Sequence, residues 1–549
     1  MICKKSERLT MVEYNKKTIQ TKMKEIWVQL FHDDNITIND DFFYLGGNSF
    51  LAVEFINKIK DFFDVDISLS DLFKNPTIQL LSDFIKRNAQ ADSLPSLVAK
   101  NKENLVLTSY AQQCLLNLNE NTVSKAVHID FFPLHLTGAL RIESLREAFI
   151  RLIERHEILR THFKKKDGQW YQVIKKRGEL VWDDQTLDYG GQLELEEKLQ
   201  CIADEFWETP FDLTQGPLFR IKLVRLKAKE SVLFITIHQS IFDGWSLGVL
   251  ATELSQLYNH LAFHAPLRLN ELPIQYADYA LWQREWLVGD ILDKKLNYWE
   301  KHLEFLPPEV TIPYRKARPL KSTFEANICH MKLPSSLMNK LKELSKRQSV
   351  TLFMTLLASL QILLCKYNAL EDMVVGSPIS NRTQKEVESL IGLFANMLIF
   401  RIKLKKNINF YELLEYTREE VANASMHQEI PFEQVIAQYP ERYLQENRHP
   451  LFQIMFTLEN FAPIEFNFKD VLVEPLKLRK AKTKFDISFN TRELPTGELD
   501  VGIGYAAELY NQSEIEVIGS YWVDLLERIS QNPKEKIDNL GLFEKNTTT

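Results

Sequence analysis

Two short strings of the sequence combine residue types that could do chemistry, and the first is GGNSF. Ser49 follows a pair of glycines, which let a backbone turn tightly, and stands where a helix is predicted to begin. The N-terminus of a helix favours a negative group, so a phosphodiester on Ser49 would suit that position. On spacing alone, an ordinary helix cap is the favoured interpretation of this serine.

The second string is HQSIFDGWS, which begins with His238 and Gln239 at the end of an apolar run. Asp243 and Gly244 follow. A histidine can exchange a proton near neutral pH, whereas the amide of Gln239 does not titrate and can only form hydrogen bonds. Taken alone, such a pattern is more often a buried histidine whose ring is satisfied by hydrogen bonds.

The elements that must position Ser49 lie in the first 90 or so residues, where apolar side chains recur at helical spacing. This spacing predicts a small helical bundle. Asn75 and Pro76 have the pattern of an N-cap and first residue of its last helix. The polar stretch 89–104 contains a proline and predicts a linker. The recurring apolar positions are Ile19, Met23, Ile26, Trp27 and Leu30, then Leu51, Phe55 and Ile59.

Beyond residue 104, the pattern predicts mixed strands and helices. HIDFFPLHLTG and LFRIKLVRL are typical of strands, and the continuous apolar run SVLFITIHQS is typical of a buried strand. GVLATELSQLYNHL and LFMTLLASLQILLCKY predict helices. Some 440 residues of this kind, by rough count, exceed one ordinary core, so we expect two lobes.

The wider string DDFFYLGGNSF resembles the attachment motif of peptidyl carrier proteins, and the resemblance covers residues 16–88 after an N-terminal extension at 1–15. It implies that Ser49 carries 4′-phosphopantetheine, whose thiol holds an aminoacyl or peptidyl group as a thioester. It also implies that Phe50 and Val53 help the carrier to dock on partner domains; core packing explains these two side chains nearly as well.

Seven further strings resemble, in order and spacing, the condensation domains of nonribosomal peptide synthetases over residues 105–545. They are SYAQQCLL, RHEILRTHF, HQSIFDGWS, YADYALW, IGLFANMLIFR, HQEIPFEQVI and NRHPLFQIMF. The resemblance implies a fold similar to chloramphenicol acetyltransferase, with an N-lobe of about residues 105–275 and a C-lobe of about 276–545. It also implies a tunnel between the lobes. We therefore expect a small all-α four-helix bundle followed by a two-lobed α/β domain.

Position 239 departs from the family motif HHxxxDG, whose second histidine is the catalytic one. Asp243 and Gly244 match the motif, His238 matches its first and mainly structural histidine, and Arg382 in SPISNRT is the expected partner of Asp243. Gln239 cannot act as a base. Three interpretations stay open: an engineered substitution, a natural loss that leaves an inert domain, or catalysis that works mainly by positioning.

The two resemblances together imply an acyltransferase of secondary-metabolite biosynthesis that joins donor and acceptor carrier-bound substrates through an amide bond. The alternative is a catalytically inert, condensation-like platform on which carriers dock. The implied partners are a downstream acceptor carrier, an adenylation domain that loads the carrier, and a phosphopantetheinyl transferase. Two features are expected to be structural only: the basic run KLRKAKTK at 477–484, as a solvated loop, and His427 with Glu429, at a helix end.

The composition of the chain argues against several functional classes. A net charge of −7 does not favour nucleic-acid binding, which usually needs a basic excess. Five cysteines lie far apart without any CxxC pair, which argues against a disulfide scaffold or a structural zinc site and favours a reduced compartment. We see neither a signal peptide nor a membrane span, and we expect a cytoplasmic protein without metal.

Overall fold

The computed structural model describes residues 16–63, 65, 67, 69–88, 95–102, 104–121, 125–306, 312–313, 316–439, 448–459, 464–478 and 481–541. The predicted extension 1–15 lies outside these residues, as do the side chains of Ser49, Phe50 and Val53. Within the described ranges, no single helix is long and apolar enough to cross a membrane, and only one pair of helices, bent by 104°, passes that test jointly.

An N-terminal bundle is built from four helices around an aromatic core. Trp27, Phe42 and Phe55 are fully buried, and the Trp27 ring lies 5.2 Å from that of Phe42 and 5.8 Å from that of Phe55. Trp27 and Phe55, which the apolar spacing predicts on the inner faces of their helices, therefore share one core with Phe42 from the loop between them. The helices are α1 Lys16–Phe31, α2 Ser49–Phe63, α3 Leu69–Lys74 and α4 Ile78–Asn88.

The predicted cap of α4 is wrong by two residues. Thr77 caps this helix, because its Oγ1 accepts the backbone N–H of Leu80 at 3.1 Å. Asn75 instead ends α3, where its backbone N–H donates to the carbonyl oxygen of Asp71 at 2.9 Å. Pro76 joins the two helices. Threonine and asparagine are both common helix caps, and the Asn-Pro pair favours the wrong one because proline is common at the first helical position.

The rest of the chain is an α/β region whose helices flank three sheets. Its helices are α5 Tyr110–Asn121, α6 Ile142–Arg155, α7 Gln192–Glu208, α8 Gly244–Phe263, α9 Tyr276–Trp286, α10 Gly289–His302, α11 Ser335–Arg347, α12 Leu352–Asn368, α13 Phe410–Met426, α14 Phe432–Ile436 and α15 Gln512–Gln531. Its strands are β1 Val106–Leu107, β2 Ile129–Gly138, β3 Thr161–Lys166, β4 Gln169–Ile174, β5 Val181–Thr186, β6 Phe219–Lys227, β7 Glu230–His238, β8 Glu325–Leu333, β9 Asp372–Ile379, β10 Asn396–Lys403, β11 Ile454–Glu459, β12 Val471–Pro475, β13 Ala481–Lys482, β14 Ile487–Glu493 and β15 Leu499–Ala506.

Two larger sheets form the cores of this region. One has the order β12-β2-β7-β6-β5, the other has the order β10-β9-β11-β14-β15-β8-β13, and a small third sheet has the order β1-β4-β3. In the five-stranded sheet, β7 is central, and every residue after Glu230 is buried. Its continuous apolar run fits that position, and the predicted combination of a helical bundle and an α/β region is confirmed.

The five-stranded sheet takes one strand from late in the chain. β12 pairs antiparallel with β2, and Val471 lies opposite Gly138. Gly138 has φ +143°, and a Cβ there would collide with the backbone oxygen of Asp470. The close approach of the two strands therefore requires glycine. A division of the lobes by residue number alone does not describe this sheet.

Residues 95–102 join the bundle to the α/β region and are fastened to α9. Trp282 Nε1 donates to the carbonyl oxygen of Pro95 at 2.6 Å, and the backbone N–H of Lys100 donates to Asp278 Oδ1 at 2.9 Å. These residues form neither helix nor strand. The described part of the predicted linker is therefore held against the domain that follows.

Candidate active site

The site is positioned by the end of β7. His238 is its last residue and is buried, and the backbone N–H of Ser240 donates to its Nδ1 at 3.2 Å. Because Nδ1 accepts that hydrogen, the neutral ring carries its proton on Nε2. The Ser240 hydroxyl lies 2.7 Å from the same nitrogen. These contacts hold the His238 ring in place within the turn.

Gln239 extends from the short 3₁₀ turn Gln239–Ile241 and bridges two charged side chains. Its Nε2 donates to Asp130 Oδ1 at 2.8 Å, and its Oε1 accepts Lys484 Nζ at 2.6 Å. Asp130 comes from β2, and Lys484 lies just before β14. Both ends of the amide are therefore engaged by this chain.

Burial shifts the pKa of Asp130 and that of Lys484 more than the attraction between their two charges does. Desolvation raises the pKa of Asp130 to about 6, against the opposing effects of Gln239 and Lys484. Desolvation also lowers the pKa of Lys484 to about 8, against the opposing effect of Asp130. The solvated loop predicted for this basic run is thus wrong at Lys484, which a long-range contact brings into the site.

Asp243 is the N-cap of α8 and accepts hydrogen bonds on both carboxylate oxygens. Ser246 donates to Oδ1 from its backbone N–H at 2.9 Å and from its hydroxyl at 2.7 Å. The backbone N–H groups of Phe394 and Ala395 donate to Oδ2 at 2.9 and 3.1 Å. The carboxylate therefore joins the start of α8 to the segment that leads into β10.

Arg382 completes this arrangement. Its Nη2 donates to Asp243 Oδ1 at 3.1 Å, and its Nη1 donates to the carbonyl oxygens of Val387 and, at 2.7 Å, of Leu390. Burial lowers the pKa of the guanidinium. A buried cation with a carboxylate and two carbonyl partners locks the loop 382–390 against α8.

Gly244, the first residue of α8, is exposed, and a Cβ built there would meet no atom within 4 Å. No steric contact in the described protein therefore demands glycine. The missing side chain leaves room beside the turn that carries Gln239.

The N-terminal bundle contacts the same loop through α2. Asn57 Nδ2 donates to Glu388 Oε1 at 2.6 Å, and Lys60 Nζ donates to Gln384 Oε1 at 2.8 Å. The carbonyl oxygen of Glu388 in turn accepts Trp245 Nε1 at 2.9 Å. The sequence does not predict these contacts, because surface polar residues on a helix carry no signal of their partners.

His427 and Glu429 both contact side chains of α10. His427 occupies the C-cap position of α13, and its ring stacks on that of Tyr298 with centroids 4.0 Å apart. Glu429 pairs with Lys295 at 3.1 Å. Both positions agree with the expectation of a helix end.

The family follows from a comparison with known domains. Residues 102–549 match the family model of the condensation domain. The chain belongs to the condensation-domain family. Residues 21–85 match the model of the phosphopantetheine attachment site, so the N-terminal bundle is a carrier domain that precedes the condensation domain. The predicted order of domains for a nonribosomal peptide synthetase is confirmed.

Relatives and solved structures agree with this family. A linear gramicidin synthase chain of Brevibacillus parabrevis is 35% identical over 523 residues, which cover 94% of this chain but 7% of the relative. The X-domain in complex with OxyB from teicoplanin biosynthesis has a TM-score of 0.74 at 24% identity and covers 82% of this chain and 99% of its own. The condensation domain of the Monacolin K polyketide synthase MokA has a TM-score of 0.66 at 21% identity, over 80% and 100%. The similarity to these two solved structures shows that they share their fold with this chain.

The start of α2 suits a phosphopantetheine arm. Asn48 Oδ1 accepts the backbone N–H of Leu51 at 3.0 Å, so Asn48 and not Ser49 caps the helix. The first turn of α2 contains no acidic residue, which leaves the favourable end of the helix dipole uncompensated. A Cβ on Gly47 would collide with Phe42, so the turn before Ser49 requires glycine there. The phosphodiester of the arm would lie at this helix N-terminus.

Proposed function

We propose that this chain carries out one amide-forming step of nonribosomal peptide synthesis, with its own carrier domain as donor. The observation that carries the proposal is the position of α2, the helix that begins at Ser49, against Glu388. Glu388 belongs to the loop that Arg382 ties to Asp243. This position supports a donor arm that reaches the turn with Gln239.

The chain's own residues would prepare the site. The phosphopantetheine on Ser49 supplies a thiol that carries the acyl group as a thioester. Arg382 and Asp243 hold the start of α8 to the opposite loop, and this fixes the turn that follows β7. Gly244 leaves space beside that turn. Positioning of this kind contributes to rate because it replaces a random encounter by a fixed geometry.

The proposed partners follow from the same chemistry. A second carrier domain would bring the acceptor amine, an adenylation domain would load the donor, and a phosphopantetheinyl transferase would modify Ser49. Each of them supplies a group that the amide-forming step consumes or requires.

The second candidate is a docking platform without chemistry. Gln239 favours it, because both ends of its amide are already bonded to Asp130 and Lys484. In that state the side chain has no base to offer, and an incoming amine can use only the second Nε2 hydrogen or the second lone pair of Oε1.

One assay separates the candidates. We would load Ser49 from a panel of aminoacyl-coenzyme A compounds and supply aminoacyl N-acetylcysteamine thioesters as acceptors. The released dipeptidyl thioester would be followed by mass spectrometry in single turnover. The parent chain, Gln239→His and Ser49→Ala would be compared. Product from the parent that Ser49→Ala does not make supports the proposal. Product from Gln239→His alone assigns the parent to the platform.

A further inference from the structure

We propose that Lys484 is the residue that exchanges the proton of the reacting amine in this chain, in place of the histidine of the family motif. The inference rests on the proposed function and names a catalytic residue for it. At position 239 the family motif has its catalytic histidine. This chain has a glutamine there, and its amide oxygen accepts a hydrogen bond from Lys484.

The geometry puts Lys484 next to the family's reacting position. Lys484 Nζ is 2.6 Å from Gln239 Oε1, so the lysine nitrogen lies one hydrogen bond beyond the side chain that replaces the histidine. Gln239 itself is bonded to Asp130 on its other side. The amide therefore serves as a spacer that holds Lys484 Nζ in place and joins it to a carboxylate.

The groups that face Lys484 come from several elements. Asp130 lies on β2, Cys114 on α5, and His449 before β11. Burial and the charge of Lys484 lower the pKa of His449 to about 3, so this ring is neutral and adds no positive charge near pH 7. Asp130 is the nearby anion that opposes deprotonation of Lys484. Desolvation outweighs it, and the pKa of Lys484 falls to about 8.

The proposed step transfers one acyl group and one proton. The acceptor nitrogen bonds to the thioester carbon, and the carbon–sulfur bond breaks with its electron pair on sulfur. Neutral Lys484 Nζ takes the surplus proton from the acceptor nitrogen and passes it to the departing thiolate. The products are an amide and a free thiol, and Lys484 returns to its neutral form. No oxidant, metal or further reactant is needed.

The sign of the pH dependence follows from the base being the neutral form. About a tenth of Lys484 would be neutral at pH 7 and about nine tenths at pH 9, for a pKa of about 8. Arginine keeps the positive charge beside Asp130 but does not lose its proton in this range. The ratio of the parent rate to the Lys484→Arg rate should therefore rise about tenfold between pH 7 and pH 9. Titration of the acceptor amine cancels in this ratio.

The experiment uses the full chain in the single-turnover amide assay, with Lys484→Arg, Lys484→Met and the matched control Lys482→Met. Lys482 belongs to the same basic run and pairs with Glu208, away from Gln239. We expect a loss of about 100-fold for both Lys484 variants at pH 9, near the lower end of general-base effects, and less than twofold for Lys482→Met. Thermal unfolding of each variant reports whether it is folded.

A second readout does not depend on activity. Competitive acetylation of the unmodified chain with isotope-labelled anhydride, read by peptide mass spectrometry between pH 6 and pH 10, gives the titration midpoint of Lys484. We expect a midpoint near pH 8 in the parent and a shifted midpoint in Gln239→Leu, which removes the bridge.

The outcomes separate the two proposals. A parent chain that makes amide while Lys484→Arg matches its rate at every pH overturns the role of Lys484 and leaves the proposed function standing. A parent midpoint above pH 10 also overturns the role of Lys484. If neither the parent chain nor Gln239→His forms amide, the proposed function and the role of Lys484 are both overturned.

Discussion

Replacement of Asp243 by asparagine tests how the site is held together. The carboxylate accepts Ser246 twice and Arg382 once on Oδ1, and two backbone N–H groups on Oδ2. An asparagine of the same shape must turn an NH₂ group towards one of these sets of donors. It also leaves Arg382 buried without its anionic partner.

The magnitude follows from the burial of the pair, whose side chains are 2% and 1% exposed. Loss of one partner of a buried ion pair costs about 3–5 kcal/mol. For a domain of this size, the scaling of unfolding entropy gives a fall in Tm of about 1 °C per kcal/mol. We therefore expect Asp243→Asn to lower the Tm of the condensation domain by about 3–5 °C in calorimetry.

A matched control is Glu147→Gln, which makes the same chemical change in an exposed pair with Arg151 on α6. A pair of this kind contributes about 0.5 kcal/mol, so its Tm should move by less than 1 °C. The double variant Asp243→Asn with Arg382→Met should lose less than the sum of the two single losses. Equal Tm values for Asp243→Asn and Glu147→Gln would refute the reasoning.

Three other predictions concern the carrier, the linker and the thiols. Glu388→Ala removes the acceptor of Asn57 and should shift the docked carrier about tenfold towards the undocked form, seen as faster hydrogen exchange in α2; unchanged exchange would contradict the contact. Trp282→Phe removes the indole N–H that holds the linker and should speed exchange at 95–102, while α15 serves as the unaffected reference. Cys201 is exposed and should react with a disulfide reagent in the native chain, whereas burial raises the pKa of Cys365 to about 12 and should delay its reaction until unfolding; simultaneous labelling of both would show that the domain core is open.

The elements near the site were predictable because their patterns are local. The apolar run before His238 predicts a buried strand, and β7 is the central strand of its sheet. The glycine pair before Ser49 predicts a helix start, and α2 begins there. Such signals depend on residues a few positions apart, which is the range over which backbone geometry is determined.

Contacts over long distances in the sequence were not predictable in the same way. Lys484 lies in a run of basic residues that is typical of a solvated loop, and only the fold brings it to Gln239, 245 positions earlier. The contact of Asn57 with Glu388 spans 331 positions. None of these residues has a local feature that marks its partner. Charge and polarity alone therefore predict the wrong environment for Lys484, and they predict no contact for Asn57.

The fastening of residues 95–102 to α9 limits how far the carrier domain can lie from the condensation domain. Between Asn88 and Pro95 the chain can extend over at most about 25 Å. A carrier domain confined to a sphere of that radius is present at a local concentration on the order of 10 mM. A docking site for the carrier with a dissociation constant in the millimolar range is then mostly occupied. The hydrogen bonds of Asn57 and Lys60 therefore add to a covalent connection that already keeps the carrier domain near the loop 384–388.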